Sequence, residues 1–196
     1  MNKKTISLAV IAGIILIAII WVVSSYNGLV SKDEACSQQW SKVESQYQRR
    51  SDLIPNLVST VKGYAKHEQQ TLENVIAARN QASNAKVDPN KLDQASIQKY
   101  QKSQDALSSS LSKLMVVVER YPDLKANQNF LELQSQLEGT ENRIAVERQN
   151  FADIVKAYNA KMRRFPTNMI ANIFGFERKA YFEAEKGAEN APKVEF

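Results

Sequence analysis

One histidine and one cysteine among 196 residues leave the commonest site chemistries without their parts. His67 is followed by Glu68, but Gln70 and Thr71 stand where a zinc-binding HExxH helix needs its second ligand. A di-iron bundle draws on paired Glu-x-x-His motifs, which a single histidine cannot supply. A nucleophilic triad would have to recruit His67, with no Gly-x-Ser-x-Gly elbow in support. No glycine-rich loop is present to cradle a phosphate. Lone Cys36 excludes an internal disulfide and any thiolate metal site within one chain, and it leaves the redox compartment undecided. The expectation is therefore no catalytic residue, no metal site, no cofactor and no enzyme. His67 reads as a solvated helix-end residue and Cys36 as a small core residue. An intermolecular disulfide is the alternative use of Cys36.

Glycine and proline are also scarce, at 6 and 5. With Ala, Gln, Glu, Lys, Leu and Ser plentiful, that favours helices and leaves few turn signals for an all-β fold. Charge of one sign is missing too. Setting aside Lys3 and Lys4 leaves 24 basic against 21 acidic residues, and no basic run is interleaved with aromatics, so no nucleic-acid partner is expected.

What is present begins with ISLAVIAGIILIAIIWVV, residues 6–23, which carries no charge. At the helical rise it covers about 27 Å, close to the thickness of a hydrocarbon core. Trp21 and Tyr26 fall near its exit, where aromatic rings favour the interface. The rival reading is a cleaved signal peptide with Val23 and Ser25 at the cleavage site, but the run is longer than the usual apolar region of such peptides. Cys36 lies well past the run, after Asp33, Glu34 and Ala35, which argues against a lipoprotein. Residues 1–25 are thus expected to anchor the chain by a single transmembrane helix. Lys3 and Lys4 adjoin the span on one side, whereas Lys32 on the other is accompanied by Asp33 and Glu34. The positive-inside rule then leans toward a bacterial cytoplasmic membrane with the large domain on its extracytoplasmic side.

Beyond the anchor, apolar residues recur at steps of three and four: Leu29, Cys36, Trp40, Val43, Tyr47, Ile54, Leu57, Val61 and Tyr64, with Asp33 and Arg50 in the same phase. This heptad seam continues the phase of Val22 and Tyr26, so the first helix is expected to emerge straight from the membrane. A second helix spans about Glu68–Asn84, with Leu72, Val75, Ile76 and Arg79. Gly63 makes the junction between the two either a break or a bend. Val87-Asp88-Pro89-Asn90 is the clearest turn. A third helix runs to about Arg120 on a stripe of Leu107, Leu111, Leu114, Val118 and Tyr121, and Tyr121-Pro122-Asp123-Leu124 breaks it. The last long helix, about Asn127–Arg164, carries Phe130, Leu133, Leu137, Ile144, Phe151, Val155, Tyr158 and Met162 before Phe165-Pro166 ends it. The fold expected is all-α: an N-terminal transmembrane helix, then an antiparallel bundle of about four long helices over residues 26–166.

The stretch RRSDLIPNLV, Arg49–Val58, sets a helix breaker and three charges inside the first seam. The phase runs unbroken through Tyr47, Arg50, Ile54 and Leu57, so Pro55 is expected to kink a continuing helix. It has no N–H for the Ser51 carbonyl, which then wants another donor, and the neighbouring arginines are candidates. Arg50 falls on the seam itself, where an unpaired guanidinium is costly. TENRIAVER in the fourth helix offers Glu141 and Glu147 beside Arg143 and Arg148. One reading is a structural ion-pair network of Asp52, Pro55, Glu141 and Glu147 around Arg50 that sets helix register. Another is a cationic pocket in which Arg49, Arg50, Arg143 and Arg148 bind a small anion. A third has Arg50 snorkelling to the surface.

Residues 167–196 form an amphipathic tail. Met169, Ile170, Ile173 and Phe174 make a helical stripe, with Phe176, Tyr181 and Phe182 beyond and Arg163, Arg164, Arg178 and Lys179 flanking. The tail is expected to dock on the bundle as a short terminal element; a position on the bilayer or use as a groove-binding peptide are the alternatives.

Laid end to end, YNGLV, RRSDLIPNLVSTVKGYAKHE, LENVIAARNQA, ERYPDLKANQNFLELQSQLEGTENRIA, RQNFADIVKAYNAKMRRFP, IFGF and the terminal APKVEF resemble the LemA family of bacterial membrane-anchored proteins. The pieces cover nearly all of the chain beyond the anchor, in order. The resemblance implies one N-terminal transmembrane segment and an antiparallel helical bundle, and it carries over no catalytic residue. Two functions follow as expectations: a membrane-tethered, non-enzymatic scaffold binding unidentified envelope proteins or further copies of itself, or a ligand-binding sensor using the four arginines. The lipid bilayer, through residues 6–23, is the one partner the residues themselves name.

Overall fold

A stripe repeating every three and four residues stays on one side of a helix only while the helix is unbroken. A computed structural model describes residues 3–183, and there the first stripe lies on a single helix, α1 (Lys3–Tyr64), of 62 residues and about 93 Å. Leu29, Cys36, Trp40, Val43, Tyr47, Ile54, Leu57 and Val61 are all buried along it, while Tyr64 at its end is exposed. Residues 6–20 are exposed throughout, and α1 is the one helix among the described residues long and apolar enough to cross a membrane. Pro55 sits inside α1 without ending it.

The Gly63 junction is a break. A turn at residues 65–68, closed by the Glu68 N–H on the Ala65 carbonyl, separates α1 from α2 (Gln69–Asn84). α3 (Gln94–Val118) follows, capped by Asp93, whose carboxylate accepts from the Ser96 N–H at 2.8 Å and from the Ser96 hydroxyl at 3.0 Å. Tyr121–Leu124, read as a simple break, instead starts a one-turn helix, α4 (Pro122–Lys125), because proline suits a helix's first position. α5 (Gln128–Arg163) is capped by Asn127, which accepts from the Phe130 N–H at 3.1 Å. α6 (Thr167–Ile173) is short, and the Phe165–Pro166 bond before it is cis.

Cross-helix pairs give the directions. Arg50 meets Glu141 and Tyr64 meets Asn127, so α1 and α5 are antiparallel. Ser51 meets Ser83, Ala82 meets Gln104 and Glu68 meets Arg120, which sets α2 antiparallel to both α1 and α3. The result is an up-down-up-down bundle of four long helices, with no strand among the described residues. α2 stops at about the level of Ser51. Residues 85–93 then continue toward the apolar first part of α1 as loop, burying Val87 and Leu92, and the Ser37 hydroxyl donates to the Pro89 carbonyl at 2.8 Å.

The core comes in two parts. One, nearer the span, gathers Leu29 to Tyr47, Tyr100 and Ile144 to Met162. The other, at the far end, gathers Ile54 to Ala65, the buried face of α2, Leu107 to Val118 and Phe130 to Leu137. Arg50 lies on α1 between them.

The tail does dock, but more by extended backbone than by a helical face. Gly175 adopts φ 71° after α6, and the Phe176 N–H donates to the Ala171 carbonyl at 2.9 Å, a left-handed helix end that glycine tolerates best. Residues 176–183 then run back along the bundle as a strap. Of the expected stripe only Ile170 is buried; Met169, Ile173 and Phe174 face outward. Residues 184–196, including APKVEF, lie outside the described residues.

Candidate functional site

Two polar constructions occupy the bundle, and both arise where the apolar stripes are interrupted. The first is the layer around Arg50, whose side chain is 1% exposed. Its Nη1 donates to Glu141 at 2.6 Å and to the Ser108 hydroxyl at 2.7 Å; its Nη2 donates to the Gln104 side-chain oxygen at 2.8 Å and backbone carbonyl at 3.2 Å. The guanidinium carbon lies 5.1 Å from the Tyr47 ring centre, and Nε meets no acceptor. Gln104 passes the connection on, donating to the Ala82 carbonyl of α2 at 3.3 Å. A single guanidinium thus joins α1, α3 and α5, with α2 one bond further.

Beside it lies the answer to the proline. The Ser51 carbonyl, left without its helical donor by Pro55, accepts from Arg79 Nε at 3.3 Å. The donor comes from α2, not from Arg49 or Arg50. The Ser51 and Ser83 hydroxyls share a 2.7 Å bond in the same place.

The other residues singled out from the sequence are distributed differently. Arg49 and Arg143 are exposed and make no ion pair among the described residues. Glu147 accepts from Gln39 at 2.6 Å and Asn150 at 3.4 Å instead of from an arginine. Asp52 is exposed and accepts from Gln48 one turn back. Arg148 lies 4.7 Å from the centre of the Phe182 ring and donates to the Glu183 carbonyl at 3.4 Å. The bonds of the four arginines do not converge on a common point.

The second construction is the strap. Asn159 on α5 donates to the Lys179 carbonyl at 2.9 Å and accepts from the Lys179 N–H at 3.1 Å, so its amide pairs with the strap as a neighbouring strand would. The Ala180 N–H donates to the Leu92 carbonyl at 2.9 Å, and Tyr158 donates to the Glu177 carbonyl, also at 2.9 Å. Lys179 is buried and pairs with Asp33 at 2.9 Å, which explains an acidic residue in the phase of the α1 seam. Phe182 stacks on Trp40 with ring centres 5.6 Å apart. The Glu183 carboxylate accepts from Gln94 and Gln98, and its backbone exchanges two bonds with Gln101.

A cleft of about 590 Å³ between the end of α2 and the start of α3 is lined by Lys86, Lys99, Tyr100 and Ser103, among others. A cavity of about 80 Å³ beside the Arg50 layer is lined by Tyr47, Ser51, Tyr100 and Gln104, among others. That is well below the roughly 300–1,000 Å³ typical of ligand pockets. A cleft of about 370 Å³ between α1 and α2 is lined by Val58, Leu72, Ile76 and three lysine or glutamate stems. Among the described residues no three His, Cys, Asp or Glu side chains gather as a metal site would require.

Titration follows burial. The Cys36 thiol is pushed up to about 11, first by burial and then by Asp33. Burial is also the leading cause that raises the hydroxyls of Tyr47, Tyr100 and Tyr158. The N-cap bonds from Ser96 hold the Asp93 carboxyl below its ordinary value. The shifts at Cys36 and the three tyrosines favour the protonated, neutral form, whereas that at half-buried Asp93 favours the carboxylate.

Sequence reasoning missed Gln104, Ser108, Asn159 and Glu183, and it placed Arg79 on the α2 stripe without its role as donor to Ser51. Gln104 was visible in principle, since it sits three residues before Leu107 on the α3 stripe. Asn159, next to Tyr158 on α5, gave no periodic signal.

Comparison with known proteins adds three findings. A model of the LemA family matches residues 39–196. Magnetosome protein MamQ 2 of Paramagnetospirillum magneticum is 28% identical over 186 residues, covering 86% of this chain and 68% of that protein. Protein LemA of Metamycoplasma hominis is 25% identical over 160 residues, covering 82% and 69%.

Proposed function

Since the chain belongs to the LemA family, we propose that it is a non-enzymatic scaffold: a helical rod, anchored by residues 6–23 in the bacterial cytoplasmic membrane, that presents its long polar faces to envelope proteins on the extracytoplasmic side. The observation that carries this reading is the continuity of α1. One helix is exposed at residues 6–21 of its apolar first part and fully buried at Leu29, Cys36, Trp40 and Val43. A cleavable leader has no need to share a helix with the domain core. Here Ser25 is buried and Tyr26 packs on Phe174, with ring centres 4.8 Å apart, so the proposed cleavage region is part of the fold. Such a helix transmits position without a hinge between membrane and bundle.

The non-enzymatic part rests on chemistry. A nucleophile or general base needs an activated group in a cleft, whereas the buried thiol and phenols are driven toward their protonated forms. The arginines considered for an anion site have internal partners or face solvent. Exposed apolar side chains at Val116 and Val146 offer places for a partner to begin contact.

Photo-cross-linking residues at positions 116 and 146, introduced into the full chain in native membranes, test the scaffold. Discrete adducts with other membrane proteins, or with a second copy, are expected. Recovery of monomer alone from both positions refutes it.

A further inference from the structure

α6 is seven residues long and two-sided: Ile170 and Ala171 are buried in the bundle, while Met169 and Ile173 are 54% and 73% exposed. Phe165 before it and Phe174 after it are 81% and 53% exposed. Four large apolar side chains on so short a segment are costly in water. Their place in the fold suggests what covers them. Phe174 packs on Tyr26, and Phe176 packs on the same ring with centres 5.7 Å apart. Tyr26 lies three residues beyond the end of the apolar run at Val23. Three residues of helix rise about 4.5 Å, and each interfacial layer of a bilayer is roughly 5–7 Å deep. The outward face of α6 is therefore at headgroup height on the membrane that α1 enters.

The charges agree. Residues 163–178 contain Arg163, Arg164 and Arg178 against a single acid, Glu177, and all three arginines are exposed. Lys161 adds a fourth cation at this end, its side chain lying against Gly28 of α1. Apolar side chains facing outward with cations around them are the pattern of a segment lying in the plane of an anionic membrane surface.

We propose that α6 with Phe165 and Phe174 is a second membrane contact, a foot that seats the bundle on the anionic headgroups of the bilayer crossed by its own first helix. This rests on the anchor reading above. With anchor and foot both engaged, the tilt and rotation of the rigid rod relative to the bilayer are fixed.

Spin labels at single cysteines in the full chain, reconstituted in nanodiscs, test it. Leu16→Cys reports the anchor, Ile173→Cys the foot and Val116→Cys the far end of the rod; buried Cys36 does not compete for label. With phosphatidylglycerol present, oxygen collisions should exceed those of a water-soluble nickel reagent at 16 and 173, and the reverse should hold at 116. Omitting that lipid, or changing Arg163, Arg164 and Arg178 together to Gln, should move only the label at 173 toward water. A lipid-exposed label at 173 that ignores both changes overturns the anionic-headgroup assignment. A lipid-exposed label at 16 with a water-exposed label at 173 overturns the foot and leaves the anchor standing. A water-exposed label at 16 removes the anchor and the foot with it. Dipolar broadening at 173 with shielding from both reagents identifies a second copy as the occupant, and also overturns the proposal.

Discussion

Replacing Arg50 with methionine separates two accounts of the polar layer. In one, the charge pair with Glu141 holds the helices together; in the other, the neutral bonds do. Glu141 keeps 45% of its side chain in solvent, so on losing its partner it rehydrates at little cost, and the pair is screened like a surface bridge. Arg50→Met instead strands two acceptors on α3, the Gln104 side-chain oxygen and the Ser108 hydroxyl. A buried polar group without a partner costs about 1–3 kcal/mol, and half-buried Ser108 adds less than buried Gln104, so the expected loss is about 2–4 kcal/mol. Methionine fills much of the vacated volume, which keeps the cavity contribution small. For a domain of this size that corresponds to a fall in Tm of about 4–16 °C. Glu141→Gln retains an acceptor for Nη1 but takes the counter-charge from a guanidinium only 1% exposed, so it should cost about 1–2 kcal/mol and stay below Arg50→Met. Thermal melts of the full chain in mild detergent, followed by far-UV circular dichroism, measure both. If Glu141→Gln proves as damaging as Arg50→Met, the ion pair is the dominant contact and the reasoning fails.

Pro55→Ala restores the helical donor to the Ser51 carbonyl and should stabilise by about 1–3 kcal/mol, since proline costs about 3 kcal/mol in a helix interior and Arg79 already offsets part of it; Arg79→Ala should then cost less in that background than in the parent, as a double-mutant cycle would show. Asn159→Ala removes both bonds to the Lys179 backbone, and hydrogen exchange should quicken across residues 177–183 while the centre of α5 stays protected; unchanged exchange in the strap would refute the strand-like pairing. Stability should hold up to about pH 9 and decline above it, because the folded state keeps a Cys36 proton to about 11 that the unfolded chain releases near 9.0, and burial raises Tyr47, Tyr100 and Tyr158 above 10.0 in the same sense. Urea titrations across that range check the sign, and a rise in stability above pH 9 would contradict it.

Much of the architecture was written in periodicity, because burying one side of a helix demands apolar residues every three and four positions along it. The unbroken phase from Tyr47 to Leu57 foretold that α1 would pass through Pro55, and the stripe of α5 named its large apolar buried residues, whereas that of α3 caught Leu107 to Val118 but not Ile97, Tyr100 or the buried polar residues Gln101, Ser103 and Gln104 before them. Arg50 could be marked as anomalous from its phase alone. Which side chains satisfy it could not, since Ser108 and Glu141 lie 58 and 91 positions away and only packing brings them within reach. Arg79 was equally invisible as the Ser51 donor: a carbonyl freed on one helix is answered by whichever neighbour the bundle sets beside it. The tail shows the same division. Its composition declared it amphipathic, but Ile170 faces the core and Ile173 faces out because Gly175 ends the helix and Asn159 captures the extended chain beyond. Local sequence determined the helices and their buried sides; the tertiary structure alone decided their polar partners, because hydrogen bonds depend on positions in space that no repeat along the chain encodes.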